Sequence, residues 1–324
     1  MDPTLSCSCC AVSSITILFG LLACVAILIN IPALSGTPKV LVRLTTLVIT
    51  AIGIGLGLLA NSRNLSNRFF ASFFSTVLVS DILDEHRCDL LGSIEGRVLE
   101  IGAGPGANMK CWMNNTKITE WVGLDSNKYF EPYLIENYNK YNLGFPMKTI
   151  WLPAEAPNSI NTPASMNPIS LLANQTFDAI VATHVLCSVH DVDSVLLTVA
   201  HALRRPTSTS TVGGTDSQVS NGGGVYYFLE HVAAAEYSLT WYMQRLVAPV
   251  LRILGNGCQF KHIPSSLQNA VGPVTTTTTH SHRLGATRSP LFPNHTLEID
   301  YFNAPIPVSI FQPHIKGTIK FKSF

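Results

Sequence analysis

The glycine-rich segment at residues 97–108 carries the residue types and spacing best suited to chemistry. Its sequence is Arg-Val-Leu-Glu-Ile-Gly-Ala-Gly-Pro-Gly-Ala-Asn, an apolar strand that enters a glycine turn and then a predicted helix. Glycines let the backbone approach a ligand closely, and a helix N-terminus offers free N–H groups. Gly102, Gly104 and Ala107 also satisfy a dinucleotide fingerprint, so the glycines alone leave the ligand open. Glu100 favours a bound amino-acid group, because its carboxylate would repel a pyrophosphate and attract an ammonium.

A second carboxylate, Asp125, follows nineteen residues after Gly106, at the end of another apolar segment. At a strand end, this side chain is placed to accept hydrogen bonds from both hydroxyls of a ribose. The later predicted strands lie at 121–125, 150–155, 177–184, a segment ending at 230–231, 297–302 and 314–321. Strands that alternate with helices predict an α/β fold, a Rossmann-like, doubly wound and mostly parallel seven-stranded sheet.

In this order the acidic glycine motif at 100–106, Asp125, the turn at 154–155 and the strand at 177–178 resemble class I S-adenosylmethionine-dependent methyltransferases. The resemblance implies S-adenosyl-L-methionine as the cofactor. It implies cofactor binding by Glu100, Gly102, Ala103, Gly104, Gly106, Asp125, Ser126, Ala154, Glu155, Thr183 and His184. Many family members have an acidic residue where Pro153 stands, so here the adenine amine must be bound by Glu155 or by main chain.

Four other segments, 185–189, 229–234, 256–258 and 312–317, resemble the membrane-anchored methyltransferases that act on alkyl thiols. With gaps, the similarity extends roughly from residue 85 to residue 320. It implies transfer of a methyl group to a small apolar acceptor, with a thiol favoured. An oxygen or nitrogen acceptor on a lipid or secondary metabolite is the alternative. A membrane-attached binding protein without turnover is another, although the intact cofactor motif argues against it.

Methyl transfer from a sulfonium is an in-line displacement, which chiefly requires reacting atoms held about 3 to 3.5 Å apart. A thiol is already a few per cent ionised at neutral pH, so its demand for a base is small. The candidate catalytic residues are His184, Glu230 and His231, at the ends of the fourth and fifth predicted strands. Alternatively, His184 forms a wall of the cofactor pocket and the other two cap a helix. We predict structural roles for His314 and Cys187.

The N-terminal region is predicted to be a membrane anchor. Two apolar runs, 11–31 and 40–60, match the length of about 20 residues that crosses a hydrocarbon core, and predict a transmembrane helical hairpin. A cleaved signal peptide is the alternative for the first run, although no Lys or Arg precedes it. An amphipathic helix over 68–87 packs on the domain or lies in the membrane interface. A second helix, over 237–254, covers the acceptor or packs on the domain.

The predicted domain organisation follows this division of the chain. It comprises a membrane anchor at 1–62, an amphipathic linker helix within 63–96 and a methyltransferase domain at 97–324, with low-complexity insertions at 207–221 and 271–290. The chain is 47% hydrophobic and 13% charged, a composition that excludes disorder as the main state. A net charge of +1 argues against a nucleic-acid partner.

The expected partners are an apolar small molecule and a membrane, with no obligate protein partner. The eight cysteines show no paired metal-ligand spacing and are interpreted as free thiols in a reducing compartment, without a metal site. We expect the catalytic domain to face the cytosol, where the methyl donor is made, on the endoplasmic reticulum or a lipid droplet.

Overall fold

The computed structural model describes residues 39–78, 81–157, 162–206, 223–272 and 289–322. Within these ranges seven strands form one sheet in the order β3-β2-β1-β4-β5-β7-β6. The strands are β1 Gly96–Ile101, β2 Ile118–Leu124, β3 Met147–Ile150, β4 Ala179–Thr183, β5 Val225–His231, β6 His295–Asn303 and β7 Pro313–Phe321. Strands β1 to β5 are parallel, whereas β7 runs antiparallel to both of its neighbours. The predicted doubly wound, mostly parallel sheet is confirmed.

Helices cover both faces of this sheet. The α-helices in the described ranges are α1 Lys39–Asn61, α2 Arg63–Phe73, α3 Asp84–Leu91, α4 Glu131–Lys140, α5 Pro168–Leu172, α6 Val192–Ala202, α7 Leu239–Leu254 and α8 Ile263–Val271. Four of them begin with a side-chain cap: Ser62 accepts from the Leu65 N–H, Asn167 from that of Ile169, Asp191 from that of Asp193, and Ser238 from that of Trp241. Such caps satisfy backbone donors that the first turn leaves unpaired.

The core explains why the central strands are continuous apolar runs. Helices α6 and α8 pack on one face of the sheet, and α3 and α4 pack on the other. Strands covered on both faces need apolar side chains at successive positions, as β4 has. In the register, Ile101 pairs with Leu124 of β2 and Ala182 of β4. The next residues along those strands, Asp125 and Thr183, therefore lie at the same edge of the sheet as the glycine turn.

Two predicted elements are misplaced. The segment predicted at 150–155 as the third strand and its exit contains the last residue of β3, which begins earlier, at Met147, and ends at Ile150. The single helix predicted at 68–87 is wrong: α2 continues into a π-helical turn at Phe74–Leu78, and α3 starts separately. Phe70 of α2 and Phe74 of the π-helical turn both pack edge-on against Phe130.

The predicted transmembrane hairpin is not supported by the described residues. Its first run, 11–31, lies outside them, and the second falls within α1. Across the five described ranges, no single helix has both the length and the hydropathy to span a membrane. Leu47–Asn61 and Arg63–Thr76 meet the requirement by length and composition only as a pair, bent by 112°. Most of both predicted low-complexity insertions also lies outside the described residues.

The interpretation of all eight cysteines as free thiols is wrong for one pair. Cys88 of α3 and Cys111 form a disulfide, which ties α3 to the turn that follows the glycine motif. The two positions are 23 residues apart in sequence, and spacing of that length gave no sign of their contact. Cys187 and Cys258 are free.

Candidate active site

A cavity of about 420 Å³ opens at the carboxyl ends of β1, β2 and β4. Glu100, Asp125 and Thr183 line it from the sheet, while Asn67 and Phe70 line it from α2. Its volume is in the range typical of small-molecule sites. Ligands of open α/β sheets bind outside the carboxyl ends of the strands, so the cavity lies where such a fold binds its cofactor. We name it the cofactor cavity.

Glu100 is the buried anionic group of the cofactor cavity. Its Oε1 accepts a hydrogen bond of 2.7 Å from Asn108 Nδ2, and its Oε2 accepts one of 2.9 Å from Trp121 Nε1. Burial raises the pKa of Glu100 to about 8, against the opposing effect of these two hydrogen bonds. A cationic ligand group beside this carboxyl would favour its ionised form.

Three residues that sequence reasoning missed support Glu100. Asn108 and Trp121 hold its two oxygens, and Asn108 Nδ2 also donates to Thr183 Oγ1 at 3.0 Å. Arg87 lines the same cavity, is buried and forms an ion pair of 2.7 Å with Asp84. The position of Asn108 at the end of the glycine segment was a sequence signal that could have identified it as a site residue. Arg87 had none, because it lies in another helix.

The glycine turn passes close to its neighbours at Gly102. The φ of Gly102 is +69°, and its N–H donates to the Leu124 carbonyl at 2.8 Å. A Cβ at this position would lie 2.5 Å from the Val185 side chain, so glycine is required for both reasons. Gly104 lines the cavity together with Ala103. Gly106 does not line it and instead packs beside Met109.

Asp125 joins the glycine turn to the end of β2. Its Oδ2 accepts from the Gly104 N–H at 2.9 Å, and its Oδ1 accepts from the Asn127 N–H at 2.7 Å. Burial raises the pKa of Asp125, although both backbone hydrogen bonds lower it. A carboxylate has about four acceptor sites, so these bonds leave capacity for hydroxyl donors. Ser126 also lines the cavity, and Asn127 Nδ2 donates to the Asn67 carbonyl of α2.

The loop after β3 forms the opposite wall. Pro153, Ala154 and Glu155 all line the cofactor cavity. Glu155 Oε1 accepts a 2.7 Å hydrogen bond from the Asp191 N–H at the start of α6, and the Ala154 carbonyl accepts one of 2.8 Å from Thr198. The wall predicted to face an adenine is therefore held in place by α6.

His184 and His314 separate the cofactor cavity from a second cavity of about 870 Å³, which we name the acceptor cavity after the role proposed for it under Proposed function. His184 lines the first and His314 the second, and their Nε2 atoms are 3.1 Å apart. Burial lowers the pKa of His184 well below its ordinary value and that of His314 to about 4. Both imidazoles are therefore neutral at physiological pH.

The tautomers of the two histidines follow from their hydrogen bonds. The Gln312 carbonyl can only accept, so the ring nitrogen 3.0 Å away, Nδ1 of His314, carries the hydrogen. Neutral His314 then accepts at Nε2, and His184 donates from its own Nε2. Neutral His184 keeps its lone pair on Nδ1. A neutral ring nitrogen with a lone pair is a proton acceptor.

Glu230, predicted as a catalytic candidate, is fully buried and faces the main chain after β4. Its Oε1 accepts hydrogen bonds from the N–H groups of Val185 and Leu186, at 2.9 and 2.8 Å. Burial raises its pKa well above the ordinary value. Neither Glu230 nor His231 lines the cofactor cavity. The contacts of Glu230 hold the loop that carries Val185, and its catalytic role stays a prediction.

His231 lies beside the two free thiols. Its Nε2 is 3.2 Å from Cys258 Sγ, and one potential ligand atom from each of Cys187, His231 and Cys258 lies within 4.8 Å of the others. A hydrogen bond from Cys258 lowers the pKa of Cys187 well below its ordinary value. Sequence spacing missed this group, because its three members belong to separate segments. The structural role predicted for Cys187 as a lone cysteine did not anticipate these neighbours.

The segment that carries the glycine turn and Asp125 is similar to known proteins. Residues 99–206 match a family model described as a methyltransferase domain. This chain contains a methyltransferase domain. The match includes the glycine turn and Asp125, and it confirms the resemblance predicted from them.

Human thiol S-methyltransferase TMT1A is 28% identical over 162 residues, which cover 50% of this chain and 53% of that protein. Human thiol S-methyltransferase TMT1B is 28% identical over 161 residues, with the same shares. The chain thus matches about half the length of these curated relatives. The structure of an O-methyltransferase family protein from Burkholderia thailandensis has a TM-score of 0.47 and 10% identity, covering 78% of this chain and 59% of that one.

The residues present in the methyltransferase domain fit S-adenosyl-L-methionine, the predicted cofactor. The buried carboxyl of Glu100 suits the ammonium of its amino-acid part, and Asp125 suits the ribose hydroxyls. Asn108 Oδ1 is buried without a hydrogen-bond partner in the described structure, and Gly104 leaves open space where a side chain would lie. Asn108 is bonded to the lining residues Glu100 and Thr183, and an unpaired acceptor next to them and a side-chain-free backbone in the cavity wall are features of a ligand site.

We expect the affinity for S-adenosyl-L-methionine to rise between about pH 6 and 7.5, by at most about tenfold per pH unit. The pKa of Glu100 is about 8, so this carboxyl is largely protonated at pH 6 and must release its proton to pair with an ammonium. Calorimetry in buffers of different ionisation enthalpy measures that proton release directly. Glu100→Gln should abolish it. Binding without proton release by the unsubstituted protein would contradict this assignment of Glu100.

Proposed function

We propose that the chain transfers the methyl group of S-adenosyl-L-methionine to the sulfur of a small apolar thiol. The observation that carries the proposal is the cofactor cavity with Glu100 and Asp125 at its two binding positions, adjoining the acceptor cavity at His184 and His314. The names of the human relatives support a thiol acceptor. When bound, the cofactor supplies a methyl carbon activated by a sulfonium.

The residues around the two cavities perform binding and proton transfer. Glu100 and Asp125 fix two separate parts of the donor, which restricts its orientation and lowers the entropic cost of alignment. His184 Nδ1 can take up the S–H proton of a thiol substrate that reaches the wall between the cavities. Its lowered pKa keeps it in the proton-accepting form at neutral pH. The lowered pKa also makes His184 a weak base, and a thiol of ordinary pKa about 8.5 asks little of it because a few per cent is already ionised at neutral pH.

The acceptor cavity supports an apolar acceptor. Its walls combine the chain after β5, the start of α8 and the end of β6. The apolar residues among them are Val232, Ala233, Ala234, Ala235, Pro264, Tyr301, Phe302 and Pro313. These residues form about half of the lining and favour a ligand that removes apolar surface from water on binding, while Glu236 and His262 are among the polar residues of the same wall.

An acceptor panel tests this function. Full-length protein is incubated with methyl-labelled donor and matched alkyl thiols, phenols and amines of equal carbon number. We expect labelled thioethers as the main products. Labelled ethers or methylamines as the main products would contradict the thiol assignment, and donor binding without labelling of any acceptor would contradict catalysis. Asp300→Ala, a change at an exposed position on β6, serves as the control variant.

We also propose that α1 and α7 lie against a lipid surface. They contact each other and expose large apolar side chains, including Leu47 and Ile52 on α1 and Leu239 and Leu246 on α7. Leu239 and Leu246 are 80% and 73% exposed. The start of α7 also lines the acceptor cavity, at Ser238 and Thr240. Apolar acceptors dissolved in a membrane would therefore meet the protein beside this cavity.

Trp241 of α7 provides the readout for this placement. Vesicles with brominated acyl chains should quench the fluorescence of the full-length protein, and Trp241→Phe should remove most of the quenchable signal. Trp151→Phe is the matched control, because Trp151 packs against the core on the α3 and α4 face. Quenching that persists unchanged in Trp241→Phe would show that α7 faces away from lipid.

For localisation, we propose the cytosolic face of the endoplasmic reticulum or of a lipid droplet, because the methyl donor is made in the cytosol. Protease added outside sealed microsomes should digest the catalytic domain. A glycan on Asn64, Asn114, Asn174 or Asn294 would contradict a cytosolic domain. Disulfides are uncommon in reducing compartments, so the oxidation state of Cys88 and Cys111 in the isolated protein is an independent measurement.

A further inference from the structure

Cys187, His231 and Cys258 meet from three separate segments: the loop after β4, the last residue of β5 and the loop after α7. Cys258 Sγ is 3.2 Å from His231 Nε2, and one potential ligand atom from each residue lies within 4.8 Å of the others. Around a tetrahedral zinc ion, with bonds of about 2.3 Å to sulfur and 2.0 to 2.1 Å to nitrogen, ligand atoms lie about 3.5 to 3.8 Å apart. Small side-chain movements therefore suffice to give that geometry.

The main chain holds these three residues in position. The Gln259 N–H donates to the Cys187 carbonyl at 3.1 Å, and the Cys258 N–H donates to the Gly255 carbonyl at 3.1 Å. Between these residues, Gly257 has a φ of +97°, and a Cβ there would be 3.1 Å from the Ser188 carbonyl oxygen. The two thiol-bearing loops are thus fixed against each other by backbone contacts, which makes the site preorganised.

The donor set and its place in the fold indicate a site with an open position. Two thiolates and one imidazole suit Zn²⁺, and three protein ligands with one free position are typical of catalytic rather than structural zinc. Asn256 and Gly257, next to Cys258, line the cofactor cavity, as do Val185 and Ser188. Val232, next to His231, lines the acceptor cavity. Neighbours of the group along the chain therefore line both cavities, while Cys187, His231 and Cys258 themselves lie behind these walls.

We propose that Cys187, His231 and Cys258 bind a zinc ion whose fourth position takes the sulfur of the acceptor thiol. The acceptor part of this inference rests on the proposed function. On coordination the S–H bond breaks, and its proton is released to solvent. A sulfur electron pair then forms the new bond to the methyl carbon, while the bond from that carbon to the sulfonium breaks and its pair stays on the donor sulfur. A metal-bound thiol is fully ionised at neutral pH, whereas a free thiol is only a few per cent ionised.

The first measurement is the metal itself. Full-length protein, purified without chelators, should contain about one zinc ion per chain. After replacement by Co²⁺, it should show strong sulfur-to-cobalt charge-transfer absorption. Cys187→Ser, Cys258→Ser and His231→Gln should each weaken or remove this absorption, and calorimetric donor binding verifies that each variant is folded. His201→Gln, at an exposed position on α6, is the matched histidine control and should keep the spectrum unchanged.

The second measurement is the open position. Adding an alkyl thiol should shift the Co²⁺ ligand-field bands, whereas the alcohol of equal chain length should not. The metal site would be overturned if the purified protein contained no zinc and also showed no cobalt absorption. A disulfide between Cys187 and Cys258 in the isolated protein would overturn it as well. A cobalt spectrum that ignores thiols would overturn the acceptor role.

Different results would overturn the zinc site and the thiol methyltransferase activity. Thiol methylation that continues at full rate after complete metal removal overturns the zinc proposal and leaves the proposed function intact. A thiol-sensitive cobalt spectrum without methylation of any acceptor in the panel supports the metal site and overturns the proposed function.

Discussion

Replacing Asp125 with alanine should weaken S-adenosyl-L-methionine binding roughly 10- to 150-fold, which corresponds to about 1.5 to 3 kcal/mol. Asp125 lines the cofactor cavity, and its burial makes hydrogen bonds to its carboxylate strong. The change also removes the acceptors of the Gly104 and Asn127 N–H groups, so the glycine turn loses a constraint together with the ribose contact. Both effects weaken binding.

Calorimetry on the full-length protein measures this loss of affinity. One further variant separates the effect of the charge from that of the acceptor atoms, and another serves as the control. Asp125→Asn keeps one acceptor oxygen but no charge, so it should bind with an affinity between those of the unsubstituted protein and Asp125→Ala. Asp300→Ala removes an exposed aspartate that does not line the cofactor cavity and should leave binding unchanged. An unaltered affinity in a folded Asp125→Ala protein would remove Asp125 from the cofactor site.

The cofactor part of the site was readable in the sequence because its residues follow the strand order of the fold. Glu100 and the glycines are neighbours in sequence, and Asp125 comes one strand later. Parallel strands bring their carboxyl ends to one edge, so a residue's position in the strand pattern already indicates its place in the site. The apolar run of β4 predicted a strand for the same reason: burial on both faces demands it.

The acceptor side could not be predicted in this way. Cys187, His231 and Cys258 meet through loop geometry, and His314 reaches His184 because β7 runs antiparallel beside β5. Neither of these two groups of contacts leaves a short-range signal in the sequence. The helix prediction at 68–87 failed for a related reason, since the aromatic periodicity is satisfied by contacts with Phe130 rather than by one continuous helix. Contacts between distant segments were the common source of error.

Substituting alanine for Gly102 should destabilise the methyltransferase domain by about 2 to 5 kcal/mol. The φ of +69° costs an L-residue about 1 to 2 kcal/mol, and overpacking against Val185 adds about 1 to 3 kcal/mol. Val185 has little freedom to move, because Glu230 accepts a hydrogen bond from its N–H. Urea unfolding of the full-length protein in detergent, followed by near-ultraviolet circular dichroism, measures the change.

Gly104→Ala is the matched control and should produce the opposite pattern. Its φ of +52° imposes a comparable backbone cost, but a Cβ there would meet no atom nearer than the Gly102 carbonyl oxygen at 3.9 Å. The stability loss should therefore be limited to about 1 to 2 kcal/mol. Because Gly104 lines the cofactor cavity, the added methyl occupies space meant for the ligand, and donor affinity should fall further than stability does. Equal stability losses in the two variants would contradict the contact with Val185, and an unchanged donor affinity in Gly104→Ala would contradict the close approach of the ligand to this backbone.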